Sequence, residues 1–315
     1  MKKITALFLA LALCLSLCTV TAFAKGQDHH LTVTKADGSA VTAGTMLDGS
    51  DGADYHWHTS GGDTWLVIFK DGLTVSGTTT SERIVVEASA TDLTIKNLKI
   101  THSSSYHTSP LVFIGTATLT LVGDNELTCT DAAALRFEIG ANGTIAGAGN
   151  LIASCTGDMY PAGIMAGETL TFTQTGTVTA SGACGIYGRN GVSFNNGIGK
   201  ILARGTEPIV GAVYGAVTLG DALTMKGSTA VDTAEASITG ETTIVGDNVK
   251  TSDQVALSVL IGDAEPAPTP RHHHSSTTTT PTVTSATTAD MGVALYGVLS
   301  VSSLLGMGWV SKKKH

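Results

Sequence analysis

Residues 119–154 of the chain read LTLVGDNELTCTDAAALRFEIGANGTIAGAGNLIAS. Apolar residues alternate with hydroxyl-bearing or other polar residues in short runs, and Gly, Asp and Asn separate the runs. Alternation with a period of two is typical of a β-strand that buries one face. Gly, Asn and Asp tolerate the left-handed backbone that a sharp corner requires. This stretch therefore predicts short strands joined by tight corners.

A three-residue strand motif of this kind occurs seven times along the chain. Most copies have a Thr or Ser between two apolar residues, and successive copies are 20 to 27 residues apart. The copies begin at Leu73, Leu93, Leu119, Gly143, Leu170, Val192 and Val217. Two further short strands follow within each repeat, and a three-strand coil can bury its inner side only by stacking on its neighbours. We therefore predict an all-β fold, a right-handed parallel β-helix of about seven rungs over residues 73–263, with an N-terminal cap over residues 25–72.

Composition and charge narrow the class of protein. The 315 residues include 14% charged and 5% aromatic side chains, 37 glycines and a net charge of −8. Abundant Thr, Val and Gly favour strands and turns over helices. An acidic surface repels phosphate backbones and anionic lipids, so we expect no nucleic-acid partner and no binding to a membrane surface.

The two ends of the chain differ from the repeats. Lys2 and Lys3 precede an apolar stretch that ends in Ala22-Phe23-Ala24, which predicts a secretory signal peptide over residues 1–24. Residues 264–284 are rich in Pro and Thr and predict a disordered spacer. The chain between these two segments is therefore the part that folds.

The repeats resemble a known family. LTVSGTTTSERIVVEASATDLTIKNLKI from Leu73 and the stretch quoted from Leu119 are similar to wall-anchored β-helix surface proteins of Gram-positive gut bacteria. Some members are described as carbohydrate-binding domain proteins, and the resemblance covers residues 54–215. It implies a non-catalytic, adhesin-like module at the cell surface, whose partner is a glycan or the extracellular matrix of a host.

Residues 285–315 resemble a sortase sorting signal, in which a five-residue motif precedes an apolar span and a basic tail. Met291–Val310 is long enough to cross a bilayer as a helix, and the lysines after it would hold the end in the cytoplasm. The motif residues are Ser285, Ala286, Thr287, Thr288 and Ala289. Thr288 fits the fourth position of the family pattern, whereas Ala286 and Ala289 replace its Pro and Gly.

The sorting-signal resemblance implies a covalent attachment. A sortase thiolate would attack the carbonyl of Thr288, and an amine of the cell-wall peptidoglycan would accept the acyl group. The alternative is an apolar span that is retained as a plasma-membrane anchor. In both cases we expect an exported protein that faces outward and touches the membrane only through this span.

The third strand of each repeat supplies the candidate binding residues. Alignment predicts that Leu135, Ile164, Ile186 and Val213 point inward and that their successors form one outward column. That column and a nearby arginine make the candidate carbohydrate site: Arg136, Met165, Tyr187, Arg189 and Tyr214. Tyrosine rings stack on sugar faces and arginines hydrogen-bond hydroxyls; the alternative is ordinary solvent-facing strand residues.

A second candidate surface is a ladder of hydroxyls. The middle residues of the seven motif copies should point outward one above the other: Thr74, Thr94, Thr120, Thr144, Thr171, Ser193 and Thr218. A flat hydroxyl face suits ice or a glycan, and it also suits strand formation alone.

Metal-ligating and redox residues are few. We predict no metal site, with a zinc or nickel site at His29, His30, His56 and His58 with Asp54 as the alternative. The acidic residues near turns are explained by turn chemistry. The sequence therefore shows no recognisable calcium site, and no cofactor is predicted. The cysteines after the signal peptide are interpreted as small buried residues, with a single disulfide as the alternative: Cys129, Cys155 and Cys184.

An enzyme is the competing function class, because β-helices host polysaccharide lyases and hydrolases. A glycosidase needs two carboxylates flanking the scissile bond, and the Asp and Glu residues here are scattered, mostly at turns. We therefore predict a non-catalytic binding protein, with a lyase or hydrolase and a structural surface stalk as alternatives.

Overall fold

The computed structural model describes residues 29–103, 108–157, 162–231 and 233–263. These residues form 26 β-strands and one turn of 3-10 helix at Glu235–Ser237. The all-β prediction is therefore confirmed. The predicted signal peptide, spacer and sorting signal lie outside the described residues.

Three strands make one turn of the coil, and each pairs in parallel with the matching strand of the next turn. The first face is β4 (Leu73–Thr79), β6 (Asp92–His102), β8 (Ala117–Val122), β11 (Gly143–Gly147), β14 (Thr169–Phe172), β17 (Gly191–Phe194) and β20 (Val217–Leu219). The second face is β9 (Asp124–Cys129), β12 (Asn150–Cys155), β15 (Val178–Gly182) and β18 (Ile201–Gly205). The third face is β3 (Asp63–Ile68), β5 (Glu82–Val86), β7 (Leu111–Phe113), β10 (Leu135–Phe137), β13 (Ala162–Ala166), β16 (Cys184–Gly188) and β19 (Val213–Tyr214).

The first two faces belong to one folded sheet. The long strand β6 turns the corner between them, since residues 92–96 pair with β8 and residues 99–102 pair with β9. The result is a parallel β-solenoid of about five turns. The prediction of about seven rungs counted all seven motif copies. The first copy lies in β4, which pairs with an antiparallel end strand, and the last lies in the short terminal strand β20.

Reversed strands lie at both ends of the solenoid. At the start, β1 (Leu31–Lys35) is antiparallel to β4, and β2 (Tyr55–Ser60) is antiparallel to β3. At the other end, β26 (Ser258–Asp263) is antiparallel to both β18 and β21 (Leu223–Ser228). Four short strands between β21 and β26 complete this end: β22 (Gly240–Glu241), β23 (Thr243–Val245), β24 (Asn248–Thr251) and β25 (Gln254–Val255). These strands cover the edges of β3 and β4 at the start and of β18 and β19 at the other end, whereas β20 pairs only with β17 among the described residues.

The core is a column of inward side chains that stack from turn to turn. Leu135, Ile164 and Ile186 of the third face are fully buried, as the alternation predicts. Two aromatic stacks interrupt the aliphatic column: Phe113 on Phe137 at 4.7 Å between ring centroids, and Phe172 on Phe194 at 5.1 Å. The inward side chains of successive turns therefore fill the interior of the coil, and no helix or second sheet is needed to cover them.

Candidate functional site

The predicted outward column exists on the third face. Arg136 pairs with Met165, Met165 with Tyr187, and Tyr187 with Tyr214, on four neighbouring strands. All four side chains are partly exposed, whereas the residues before them are buried. Their alignment and outward direction are confirmed. Arg189 lies just beyond the end of β16 and is exposed beside the column.

The two tyrosines of the column form a stacked pair. Their ring centroids lie 5.3 Å apart and their planes differ by 6°. Met165 and Val210 pack with them over a small cluster of Ala133, Ala162 and Cys184, which is separate from the main core. Because each ring turns one face to the other, those two faces are closed to a sugar. A ligand at this surface would meet the hydroxyl ends and the ring edges.

Arg136 is held by the residue that directly follows its strand, Glu138. Its Nη2 atom donates to Oε2 of Glu138 at 2.8 Å, and both side chains are about one-third exposed. The Nε atom of Arg136 is buried and has no hydrogen-bond partner within the described residues. The ion pair fixes the guanidinium of this column residue, so that a donor and an acceptor lie on the strand next to that of Met165.

The column does not continue as an open surface toward the start of the chain. On the preceding strands the same positions are Val67, Val85 and Val112, which follow one another in register. Val67 and Val112 are buried although they lie on the outer side of the sheet. Val85 between them is partly exposed, so the unbroken run of partly exposed residues at these positions lies in the C-terminal half of the third face.

An aromatic and charged cluster at the start of the third face is a feature that sequence reasoning missed. The Arg83 guanidinium lies 4.6 Å from the Trp65 ring centroid, and its Nε donates to Asp63 at 2.8 Å. The His58 ring lies 4.3 Å from the same indole. Burial lowers the pKa of nearby His102, while Asp63 acts in the opposite direction. Only the pairing of β3 with β5 brings Trp65 and Arg83 together.

The candidate histidine site is dispersed. His29 stacks on Trp57 with 3.7 Å between ring centroids, and its Nδ1 lies 3.2 Å from Glu82. The Nδ1 atom of His56 is 2.9 Å from the carbonyl of Gly44. Asp54 pairs with Lys35 instead of a histidine. Over the described part of the chain, no three His, Cys, Asp or Glu side chains are placed to hold a metal ion.

The acidic corner residues hold neighbouring turns together. Asp124 accepts a hydrogen bond from the Asn150 amide at 2.7 Å, and Asn150 in turn accepts from the Thr177 backbone N–H at 2.8 Å. Asp131 has a left-handed backbone with φ of 62°. These contacts agree with the turn chemistry expected of such residues.

The hydroxyl ladder of the first face is two shorter columns. Thr74, Thr94 and Thr120 align in one column. Thr144 pairs with Thr118, not with Thr120, and so belongs to the adjacent column, which continues through the later copies: Thr171, Ser193 and Thr218. The prediction of one seven-membered ladder is therefore wrong. The shift by two residues places Ile145 opposite Leu119, so that the large inward side chains still stack.

Comparisons with known proteins find no relative of this chain. No protein-family model, no curated protein and no solved structure matches the chain. Among the described residues there is no helix with the length and apolar character needed to cross a membrane; the predicted span at residues 291–310 lies outside them. The assignment of the chain as a parallel β-solenoid thus rests on its own strand pairing.

Proposed function

We propose that this chain is a non-catalytic cell-surface protein that binds carbohydrate with the C-terminal half of its third face. The observation that supports the proposal is the partly exposed Tyr187–Tyr214 stack next to the Arg136–Glu138 ion pair. Phenolic hydroxyls, a guanidinium and a carboxylate are donors and acceptors that match sugar hydroxyls. Their positions are preorganised because they project from a rigid sheet, which lowers the entropic cost of binding.

The coil is proposed to be right-handed, since parallel crossover connections are right-handed in nearly all known cases. The ligand is proposed to be a neutral or weakly charged glycan, or a host matrix glycoprotein. The net charge of −8 disfavours acidic polysaccharides unless a cation bridges the two surfaces.

Removing both phenolic hydroxyls should weaken glycan binding while keeping the ring stack. We expect the Tyr187→Phe/Tyr214→Phe double variant to lose about tenfold in affinity on a glycan array, because each hydroxyl contributes about 0.5–1.5 kcal/mol through its hydrogen bonds. Tyr55→Phe makes the same chemical change on the N-terminal hairpin and serves as the matched control. Equal binding by the double variant and the control would contradict the proposal.

The same array separates the alternative functions. Release of reducing ends or of unsaturated products would favour the polysaccharide lyase or hydrolase. Absence of both retention and products would favour a structural stalk.

We further propose that residues 1–24 direct export and that residues 285–315 direct covalent attachment to the cell wall. The support is the sequence pattern: an apolar leader with a small-residue end, and a Thr288 motif before an apolar span and lysines. A membrane-retained anchor is the alternative.

Changing Thr288 should move the protein from the wall to the membrane. In a sortase-bearing Gram-positive host, we expect wild type and Thr287→Ala in the wall fraction that lysozyme releases, and Thr288→Ala in the membrane fraction. The reason is that the sortase acyl-enzyme forms on the carbonyl of residue 288. Wild type found only in the membrane fraction would instead support the retained anchor.

A further inference from the structure

Two cysteines meet inside the solenoid. Cys129 ends β9 and Cys155 ends β12, and the two residues are directly paired on neighbouring strands of the second face. Their Sγ atoms lie 2.9 Å apart, with Cys129 donating to Cys155. Both side chains are almost completely buried, at 1% and 4% exposure. The contact therefore joins two consecutive turns from within the core.

The third cysteine of the folded part is placed differently. Cys184 lies in the small cluster under the two tyrosines, not in the main core. Its thiol contacts the carbonyl of Ile186 at 3.2 Å, and burial raises the pKa of Cys184 to about 12. Neither Cys129 nor Cys155 belongs to that cluster, so Cys184 has no second thiol beside it there.

We infer that Cys129 and Cys155 form a disulfide that cross-links the two turns when the protein meets an oxidising environment. Paired Cα atoms on neighbouring strands are about 4.8 Å apart, which lies within the range that a disulfide spans. From 2.9 Å, the sulfurs must approach by only about 0.9 Å to reach bonding distance.

The reaction is a thiol–disulfide exchange with a low-molecular-weight disulfide such as oxidised glutathione. The Cys155 thiolate attacks one glutathione sulfur and releases the other glutathione as a thiolate. Cys129 then loses its proton, attacks the Cys155 sulfur and releases the second glutathione. Two protein thiols are oxidised and one glutathione disulfide is reduced to two thiols. The hydrogen bond from Cys129 lowers the pKa of Cys155, and this hydrogen bond together with burial raises the pKa of Cys129, so Cys155 is the first nucleophile.

The cross-link has a mechanical consequence for the third face. Cys129 and Cys155 are the last residues of their strands, and the chain then turns to β10 and β13. Those strands carry Arg136 and Met165 of the outward column. A disulfide at this corner would hold the two turns together next to the candidate binding residues, independently of whether a glycan binds there.

Peptide mapping of the full chain tests the inference. The protein is incubated with oxidised glutathione, alkylated, and digested without reductant by trypsin and by a protease that cleaves after glutamate. Cleavage after Glu168 separates Cys155 from Cys184, which trypsin alone leaves in one peptide. We expect one cross-linked species that contains Cys129 and Cys155, with Cys184 alkylated after unfolding.

Thermal unfolding supplies a second readout. We expect oxidation to raise the unfolding midpoint of wild type and of Cys184→Ala by about 5–10 °C, and reductant to reverse the rise, because the bond closes a loop of 26 residues in the unfolded chain. Cys155→Ala should not respond to either treatment. A map in which Cys129 and Cys155 stay alkylated as free thiols, or in which either is linked to another cysteine, would overturn the inference. So would a midpoint shift that persists in Cys155→Ala.

Discussion

The Phe137→Ala variant should lose about 3–5 kcal/mol of unfolding free energy, the usual cost of truncating a fully buried phenylalanine. The Phe137 side chain is completely buried and stacks on Phe113 of the previous turn with ring centroids 4.7 Å apart. Truncation removes this contact and leaves a cavity in a column where each turn contacts only its neighbours. Urea unfolding followed by circular dichroism measures the loss.

Gly143, which contacts the Phe137 ring, provides a second test of this packing. Gly143 is the one motif copy that starts with glycine, and a Cβ there would lie 2.5 Å from the Phe137 ring. Gly143→Ala alone should therefore cost about 1–3 kcal/mol through overpacking. In the Phe137→Ala background the added methyl enters free space, so the two effects should not add. Combining Gly143→Ala with Phe194→Ala, which truncates the other aromatic stack, should give additive losses; additivity in both pairs would contradict the packing account.

Gly147→Ala should prevent folding at 37 °C or cost more than about 3 kcal/mol. Gly147 has a φ of 94°, and a Cβ at this residue would collide with the carbonyl oxygen of Leu121 on the strand of the preceding turn. The neighbouring atom is backbone, so it cannot rotate away as a side chain does. Soluble yield and the thermal unfolding midpoint report the effect.

Gly140→Ala is the matched control for backbone strain without collision. Gly140 has a similar φ of 86°, but no heavy atom lies within 4 Å of the position of an added Cβ. This variant should cost only about 1–2 kcal/mol, the penalty of a left-handed backbone for a residue with a side chain. Equal losses of unfolding free energy in the two variants would show that the close approach of the preceding turn is not what excludes a side chain at residue 147.

The periodic part of the fold was readable from the sequence. Alternation with a period of two predicted which side chains of β10, β13 and β16 face the core, and repeat spacing predicted that these strands stack. Both signals are local, because every turn contacts the turns on either side of it. The number of turns was overestimated, since a motif copy at an end has the same residues as one in the middle.

Features that depend on register were not readable. The motif copies at Leu119 and Gly143 look equivalent, yet Gly143 pairs with Ala117, and the Phe137 ring lies where a side chain at residue 143 would be. The Trp65–Arg83 contact depends on how β3 pairs with β5, and the facing of the two tyrosine rings depends on side-chain rotamers. A single sequence carries no direct signal for either.

Buried polar residues at the corners were also not anticipated. The Asn125 side chain accepts from the Leu98 N–H at 3.0 Å and donates to the Asn150 carbonyl at 3.1 Å, which links three turns. Gln174 is completely buried, and its amide has no hydrogen-bond partner within the described residues.

The reversed strands at the two extremities bear on self-assembly. A coil whose terminal surfaces both ran in parallel would present each molecule with a template for the next, and chains would join into fibres. Here β1 and β2 are the outermost strands at the start of the coil and run against the strands they cover, so the last turn of an incoming copy meets a donor–acceptor pattern that it does not match. Because head-to-tail joining needs a matching surface at both ends, the solenoid should stay a single, unjoined unit even at high concentration.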